Sequence, residues 1–450
     1  MTTDKAFKRI VRARMAQTGE RYAAARRSLL HATATATATA PAEPVETELP
    51  GYRLRGGLHP ETATIANVLA NAGVVSGLTG RPLTEAAILG IGGGLGAGYI
   101  LWEFRDRSAP ILTLGFRARW QYPAAWAETT LERLGVVADV HETGGAAGAA
   151  RALDARLDAG TPVIAWVDLQ TIGTWGLPDA LSGYHGLTVV IVGRAPDGSY
   201  LVDDRSHALF HIAPEVMAAA RGRIGSYKHH LLTLPVAAGP IPADRLRSAM
   251  LDGLRAHVDH LRSPSDSFSL PAWRKWGRLL TDRRNAKGWP RVFPEGRELF
   301  GVLLGVVEAV DANASPMGGH LRDLHADWLE EAAVALDRPA LMDAARAWRL
   351  AADAWDELAD SAVPPDLEGA ADAVEAVETL RAAVADGEAG RERVREASTV
   401  AWELKARYGP SIPLTPERID AVLAGLGEQL LAIHAAEVDA VEATARAIPA

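Results

Sequence analysis

An α+β domain followed by a mostly α-helical domain is the fold class that this 450-residue chain predicts, on three observations. Apolar, β-branched runs cluster between residues 162 and 204. Helical periodicity takes over from about Ala243 to the end. The length, at roughly 100–200 residues per domain, holds two such units with an ample core. Apolar residues make up 48% and charged ones 23%, which places the chain among ordinary globular proteins and not among collagens or wholly disordered chains.

Residues 1–31 carry eight Lys/Arg against Asp4 and Glu20, a net of +6 in a chain of net charge −9. Phe7, Ile10, Val11 and Met15, then Tyr22, Leu29 and Leu30, fall at near-helical spacing around Gly19, so two short amphipathic helices are expected. This basic helical arm reads either as a docking element for an acidic partner or as a solvated extension. The tract ATATATATAPAEPVETE has almost nothing to bury, and residues 32–50 read as a low-complexity linker.

Residues 51–242 form the α+β unit. Glu61–Ala72 and Leu83–Leu89 are helix candidates, and Gly90 to Gly98 reads as a glycine-rich loop. PVIAWVDL (Pro162–Leu169) reads as a strand. LTVVIVG (Leu187–Gly193) and SYLVDD (Ser199–Asp204) flank an Asp197-Gly198 turn and read as an antiparallel hairpin. Residues 243–450 form the helical unit, with Arg322–Leu336, Ala340–Leu358 and Ile419–Ala447 as its clearest amphipathic stretches. Trp328, Trp348 and Trp355 are expected to be packing anchors within it.

The exclusions are as informative. With no cysteine there is no disulfide, zinc ribbon, Fe–S cluster or thiol nucleophile. The acidic balance argues against nucleic acid as a partner. The longest uncharged run, Ala86 to Trp102, carries six glycines and is too short to span a membrane. No secretory signal follows the basic start, so a cytoplasmic protein is expected. No register of the glycine run gives G-x-G-x-x-G, and P-loop, zincin and G-x-S-x-G signatures are missing. His207/His211 and His229/His230 lack a companion carboxylate at a telling spacing, so no metal site is expected.

One constellation carries chemistry. His185 precedes one strand of the hairpin and Asp203/Asp204 end the other. Antiparallel pairing is therefore expected to bring imidazole and carboxylate to the same end, as base and orienter.

LHPETATIANVLANAG, LTEAAILGIGGGLGAGYILWEF, PVIAWVDL and YHGLTVVIVGRAPDGSYLVDDR together resemble the N-terminal domain of the butirosin biosynthesis protein H family. KWGRLLTDRRNAKGWPRVF and MGGHLRDLHADWLEEAA are similar to the helical domain that usually follows it. The resemblance covers about two thirds of the chain. It implies a papain-like fold and transfer of an acyl group from a carrier-protein thioester to an amine, an aminoglycoside in the founding case. It assigns His185 as general base and Asp204 as its orienting carboxylate.

The sequence departs from the family at the nucleophile. Where the family has a His-Cys pair at the start of its central helix, this chain has His59-Pro60. Proline suits the first helical turn, so the helix start survives while the thiol is lost. Thr62 and Glu61 are poor replacements, because a threonine hydroxyl needs a close base and a glutamate would give a labile mixed anhydride.

Two readings result. In the first, an acyltransferase-like enzyme promotes direct aminolysis, with His185 and Asp204 as the catalytic pair and the amides around Glu61 as oxyanion donors. His59, Glu61, Asp168 and Arg205 would then line the substrate site. The donor's phosphopantetheine arm and a small-molecule amine would be substrates, with no resident cofactor. In the second, a papain-like pseudoenzyme binds an acyl carrier protein or peptide partner as a scaffold in specialised metabolite biosynthesis. Asp168 also reads as a loop cap, and Arg205 and Arg322 as either phosphate ligands or ion-pair members. A homo-oligomer is compatible with both readings, and a membrane partner with neither.

Overall fold

The computed structural model describes residues 45–103, 109–234, 239–311 and 315–448; the expected basic arm, residues 1–31, lies outside them. β1 (Val45–Glu46) pairs antiparallel with β2 (Arg53–Leu54), so the last part of the expected linker is paired chain. α1 (Pro60–Asn71) and α2 (Glu85–Ile91) come next, followed by a hairpin of β3 (Leu95–Trp102) and β4 (Ile111–Arg117). α3 (Pro123–Leu134), β5 (Asp139–His141), α4 (Ala146–Asp158), β6 (Val163–Asp168) and the short α5 (Leu169–Ile172) lead into β7 (Gly186–Arg194). β8 (Tyr200–Asp203), β9 (Phe210–Ile212), α6 (Pro214–Arg223) and β10 (Leu231–Thr233) complete the mixed part.

From Ala243 onward the described chain is helical. α7 (Ala243–Arg262), α8 (Pro271–Leu279), α9 (Trp289–Val292), α10 (Leu299–Val310) and α11 (Arg322–Ala335) precede the long α12 (Ala340–Ala362). α13 (Ala370–Ala385), α14 (Arg391–Tyr408) and α15 (Pro416–Ala447) complete it.

The main sheet has the order β5-β10-β6-β7-β8-β9, antiparallel throughout. Its two faces are both covered. Ile164, Trp166 and Val190 pack with Ile65 and Leu69 of α1, while Ala165, Val167 and Val189 pack with Leu153 and Met217. A strand buried on both sides has no polar face to show, which is why β6 and β7 are continuous apolar runs in the sequence. The helix laid across an antiparallel sheet is the α+β arrangement expected.

The glycine run corrects one expectation. Gly90 lies inside α2, and Gly96 and Gly98 lie inside β3. A Cβ at Gly90 would fall 1.8 Å from the Trp328 ring, and one at Gly96 would fall 2.3 Å from the Arg117 carbonyl oxygen. Close approach, more than loop freedom, requires these glycines. Gly93 (φ +106°) and Gly94 (φ +65°) do make a left-handed turn between α2 and β3.

The β3–β4 hairpin reaches into the helical half. Tyr99 stacks on Trp276 at 5.2 Å between ring centroids and accepts a hydrogen bond from Trp289 Nε1 at 2.9 Å. Phe116 meets Trp355 edge-on at 5.1 Å. Trp328, Trp348 and Trp355 are fully buried, as packing anchors should be. At the centre of this core Arg322 binds Glu437 through two hydrogen bonds of 2.8 and 3.0 Å. α15 is long and apolar enough by length and composition to cross a membrane, yet it runs along α12 and α8 with Glu437 in the core.

Candidate functional site

The tip of α1 carries His59-Pro60, where the resemblance implies a His-Cys pair. His59 is the N-cap in an extended conformation and Pro60 opens the helix. Such a tip leaves amides without partners inside the helix and carries a partial positive charge. A carboxylate from α2 takes the two amides that lead into it. Glu85 Oε2 accepts from the Leu58 amide and Oε1 from the His59 amide, each at 2.9 Å, and Thr62 Oγ1 donates to Oε1 at 2.6 Å. Burial pushes the Glu85 pKa up, and these hydrogen bonds oppose it.

A second charged group lies against the first turn. Glu61 Oε2 stands 3.1 Å from His59 Nδ1 and 3.6 Å from Arg117 Nε. Neither nitrogen is aligned for a hydrogen bond to it. The Arg117 guanidinium lies 4.1 Å over the Trp126 ring, and its Nη1 donates to the Ala118 carbonyl at 2.8 Å. Burial lowers the Arg117 pKa to about 10, with Glu61 opposing. Burial, then Arg117 and Arg205, hold the His59 pKa well below the ordinary histidine value, so this imidazole is neutral at pH 7.

Arg205 ties the tip to the end of β8. Its Nε and Nη2 donate to Asp204 Oδ1 at 3.1 and 2.8 Å. Its Nη1 donates to the carbonyls of Leu58 at 2.8 Å and of Pro316 at 3.1 Å. Asp204 Oδ2 accepts from Thr174 Oγ1 at 3.0 Å. The neighbouring Asp203 accepts from Tyr52 OH at 2.8 Å, and burial raises its pKa to about 6.

The expected His185–Asp204 end is not formed by the ladder. Val190 lies opposite Asp203, so the level of Asp204 falls four residues, about 13 Å of extended chain, short of His185. β8 stops too early. Asp204 turns instead to Thr174 and Arg205, and His185, half-buried, accepts the Leu169 amide on its carbonyl at 2.8 Å. Asp168 caps α5, accepting from Thr171 N at 3.0 Å and from Gly183 N at 2.8 Å, which is the loop-cap role. Arg205 and Arg322 are both members of buried ion pairs.

His59, Glu61, Asp204 and Arg205 are thus assembled around one helix tip; His185 and Asp168 sit at the β6–β7 end, next to which Thr64 of α1 meets Thr188 of β7 at 3.3 Å. All but His185 are less than a tenth exposed. The helical half covers the tip: a Cβ on Gly318 (φ +74°) would stand 2.8 Å from Leu58 C and 3.0 Å from His59 N. Among the described residues no group of three or more His, Asp or Glu is placed to hold a metal.

Three residues of this region escaped sequence reasoning. Arg117 had a signal, a lone charge ending the apolar run ILTLGF. Glu85 follows the N-cap Thr84 and reads as first-turn helix polarity. Tyr227, whose hydroxyl crowds Gly186 and whose pKa burial and then Glu61 and Asp168 raise, had none.

Chemically, the arrangement offers no nucleophile and no amide hydrogen at residue 60, and Glu85 occupies the amides of Leu58 and His59. Residues 59–205 match the family model described as butirosin biosynthesis protein H, N-terminal. No curated protein matches the chain. The match begins at His59 and ends at Arg205, two residues that meet at the α1 tip, so about a third of the chain is similar to the butirosin biosynthesis protein H N-terminal family.

Proposed function

We propose that this protein is a catalytically silent member of its acyltransferase-like family, acting as a binding or scaffold protein in specialised metabolite biosynthesis. The helix tip carries the argument. Residue 60 is proline where the resemblance implies a cysteine, Glu85 fills the amides of Leu58 and His59, and Gly318 is seated on both residues. Covalent acyl transfer needs a nucleophile, and an oxyanion hole needs amides that are not already bonded.

The competing reading, aminolysis with His185 as general base, requires an orienting carboxylate. The β7–β8 register speaks against Asp204 in that part.

The test uses the full chain with an acyl-carrier thioester and an amine. Amide formation is expected at the uncatalysed rate, and His185→Ala is expected to leave it unchanged. A rate enhancement of about 10²-fold or more that His185→Ala removes would overturn the proposal. A sharper arm is Pro60→Cys, because the chain has no other cysteine. The introduced thiol is expected to react slowly with a maleimide and to capture no acyl group.

A further inference from the structure

The helical half presents a surface that the helix tip does not use. α15 runs antiparallel to α12: Gln429 Nε2 donates to Ser361 Oγ at 3.1 Å, and Trp348 Nε1 donates to Thr444 Oγ1 at 3.3 Å further along the pair. At the Ser361 end lies a cavity of about 620 Å³, lined by Pro364, Pro365, Val422, Gly425 and Leu426. Its α15 wall continues from Gln429 through Ala432 and Ala436, at steps of three and four. Side chains this small let another helix approach closely.

The α12 wall is acidic. Asp353, Glu357 and Asp360 recur at steps of four and three, so they share one face, and Asp360 itself lines the cavity. All three are exposed, as is Glu428 on the α15 rim. Glu357 and Glu428 have no ion-pair partner among the described residues. The cation of the lining, Arg418, is held by both Asp366 oxygens, at 3.0 and 2.8 Å, so its charge is already neutralised. Gln429 Oε1 is buried in the lining with no hydrogen-bond partner among the described residues, one more acceptor in want of a donor.

A groove with an apolar floor, a small-residue wall and a carboxylate flank matches a basic amphipathic helix. The chain carries such a sequence. Lys5 to Met15 holds five basic and no acidic side chains, with Phe7, Ile10, Val11 and Met15 as its apolar residues. These positions precede the described chain, which starts at β1. Just after β1, Glu48 pairs with His211 at 2.9 Å, and the His211 amide donates to Glu388 at 3.1 Å, close to the C-terminal end of α13. α13, about 24 Å long, leads from there back to Leu367 and Pro364 at the cavity. Residues 32–44 alone extend to about 45 Å, so the tether suffices. An anionic bilayer does not fit, because the exposed carboxylates would repel it.

We propose that the arm, residues 1–31, docks into the α12–α15 groove of its own chain, with its apolar residues on the floor and its cations against Asp353, Glu357, Asp360 and Glu428. Tethering supplies a high effective concentration, so contacts too weak to hold a separate peptide are enough. The inference goes beyond the scaffold reading and stands whether or not the α1 tip is silent.

The experiment is limited trypsin digestion of the full chain at low salt, with cleavage within residues 1–31 followed by mass spectrometry. A docked arm is cut only while it is released, so the cleavage rate tracks the released population. Glu357→Lys/Glu428→Lys is expected to raise that rate about tenfold. Gly425→Trp, at a position with open space around its Cα, fills the groove and should raise it as much. Glu128→Lys/Glu215→Lys, the same change of charge on exposed residues of α3 and α6, is expected to leave it unchanged. Melting curves check that each variant is folded, and if the tryptophan variant is not, the charge pair decides. The proposal is overturned if the wild-type arm is cut as fast as in the groove variants, or if the control pair accelerates cleavage equally. Protection that falls on dilution would also overturn it, by placing the arm in the groove of a second copy.

Discussion

Two buried arginine–carboxylate pairs, one in each half of the molecule, differ in how completely they are satisfied. Arg322 and Glu437 are bidentate, and Glu437 also accepts from Trp355 Nε1 at 2.6 Å and Trp273 Nε1 at 3.1 Å. The remaining Arg322 donors reach the carbonyls of His320 and Gly96. Arg117 and Glu61, by contrast, stand 3.6 Å apart without alignment, beside an imidazole held neutral. A buried ion pair stabilises only when its geometry and secondary hydrogen bonds repay desolvation. The first pair meets that condition as a structural clamp. The second does not.

The largest expected effect tests the clamp. Glu437→Gln replaces an acceptor by a donor facing Arg322 and a tryptophan, and should cost about 3–5 kcal/mol in chemical denaturation. A loss no greater than that of Glu61→Gln would break the comparison.

Next comes pH. His257 and His325 lie with ring centroids 4.2 Å apart in the helical core. Burial, then His260 and Arg322, lower the His257 pKa to about 3; burial, then His257 and Arg322, hold His325 well down. The unfolded chain takes these protons first, so their contribution to stability is whole above the ordinary histidine pKa and is lost as pH falls below it. Asp203, raised to about 6, and Glu331, raised to about 7, act in the opposite sense. The histidine share is therefore read from a variant. Between about pH 7 and about pH 5, His257→Gln should lose about 2 kcal/mol less stability than wild type. Parallel pH profiles would refute this.

Glu61→Gln is expected to cost about 1–2 kcal/mol, the range of a single charged hydrogen bond, because the pair is loose already. A cost matching that of Glu437→Gln would make the tip a clamp as well. Smallest is Thr84→Ala. It removes the cap on Ala87 N and the contact to Glu331, for about 1 kcal/mol by the same denaturation measurement.

How much of this was legible in the sequence depended on whether the cause was local. β6 and β7 were readable because burial on both faces leaves an uninterrupted apolar run. α1 was readable because Pro60 and the spacing of Ile65, Val68 and Leu69 are local signals. β3 was hidden because Gly96 and Gly98 answer to Arg117 and Trp120, residues that a one-dimensional pattern does not connect to them. At the site, the helix start at Pro60 was legible. The level of Asp204 relative to His185 was not legible, because strand alternation says which ends are adjacent and not where a strand stops: the four residues of β8 do not reach the level of His185. Arg117 and Glu85 come from a strand and a helix whose approach to α1 is set by tertiary packing.

The β3–β4 hairpin has a consequence for how this molecule can be divided. Tyr99 and Phe116 precede residue 242 in the chain but complete the aromatic core of the helical half. A cut at that boundary would strip a tenon from its mortise, leaving apolar rings bare on one piece and a socket on the other. The two halves are therefore heritable only as a pair, and any shuffling of this architecture must carry the seam whole.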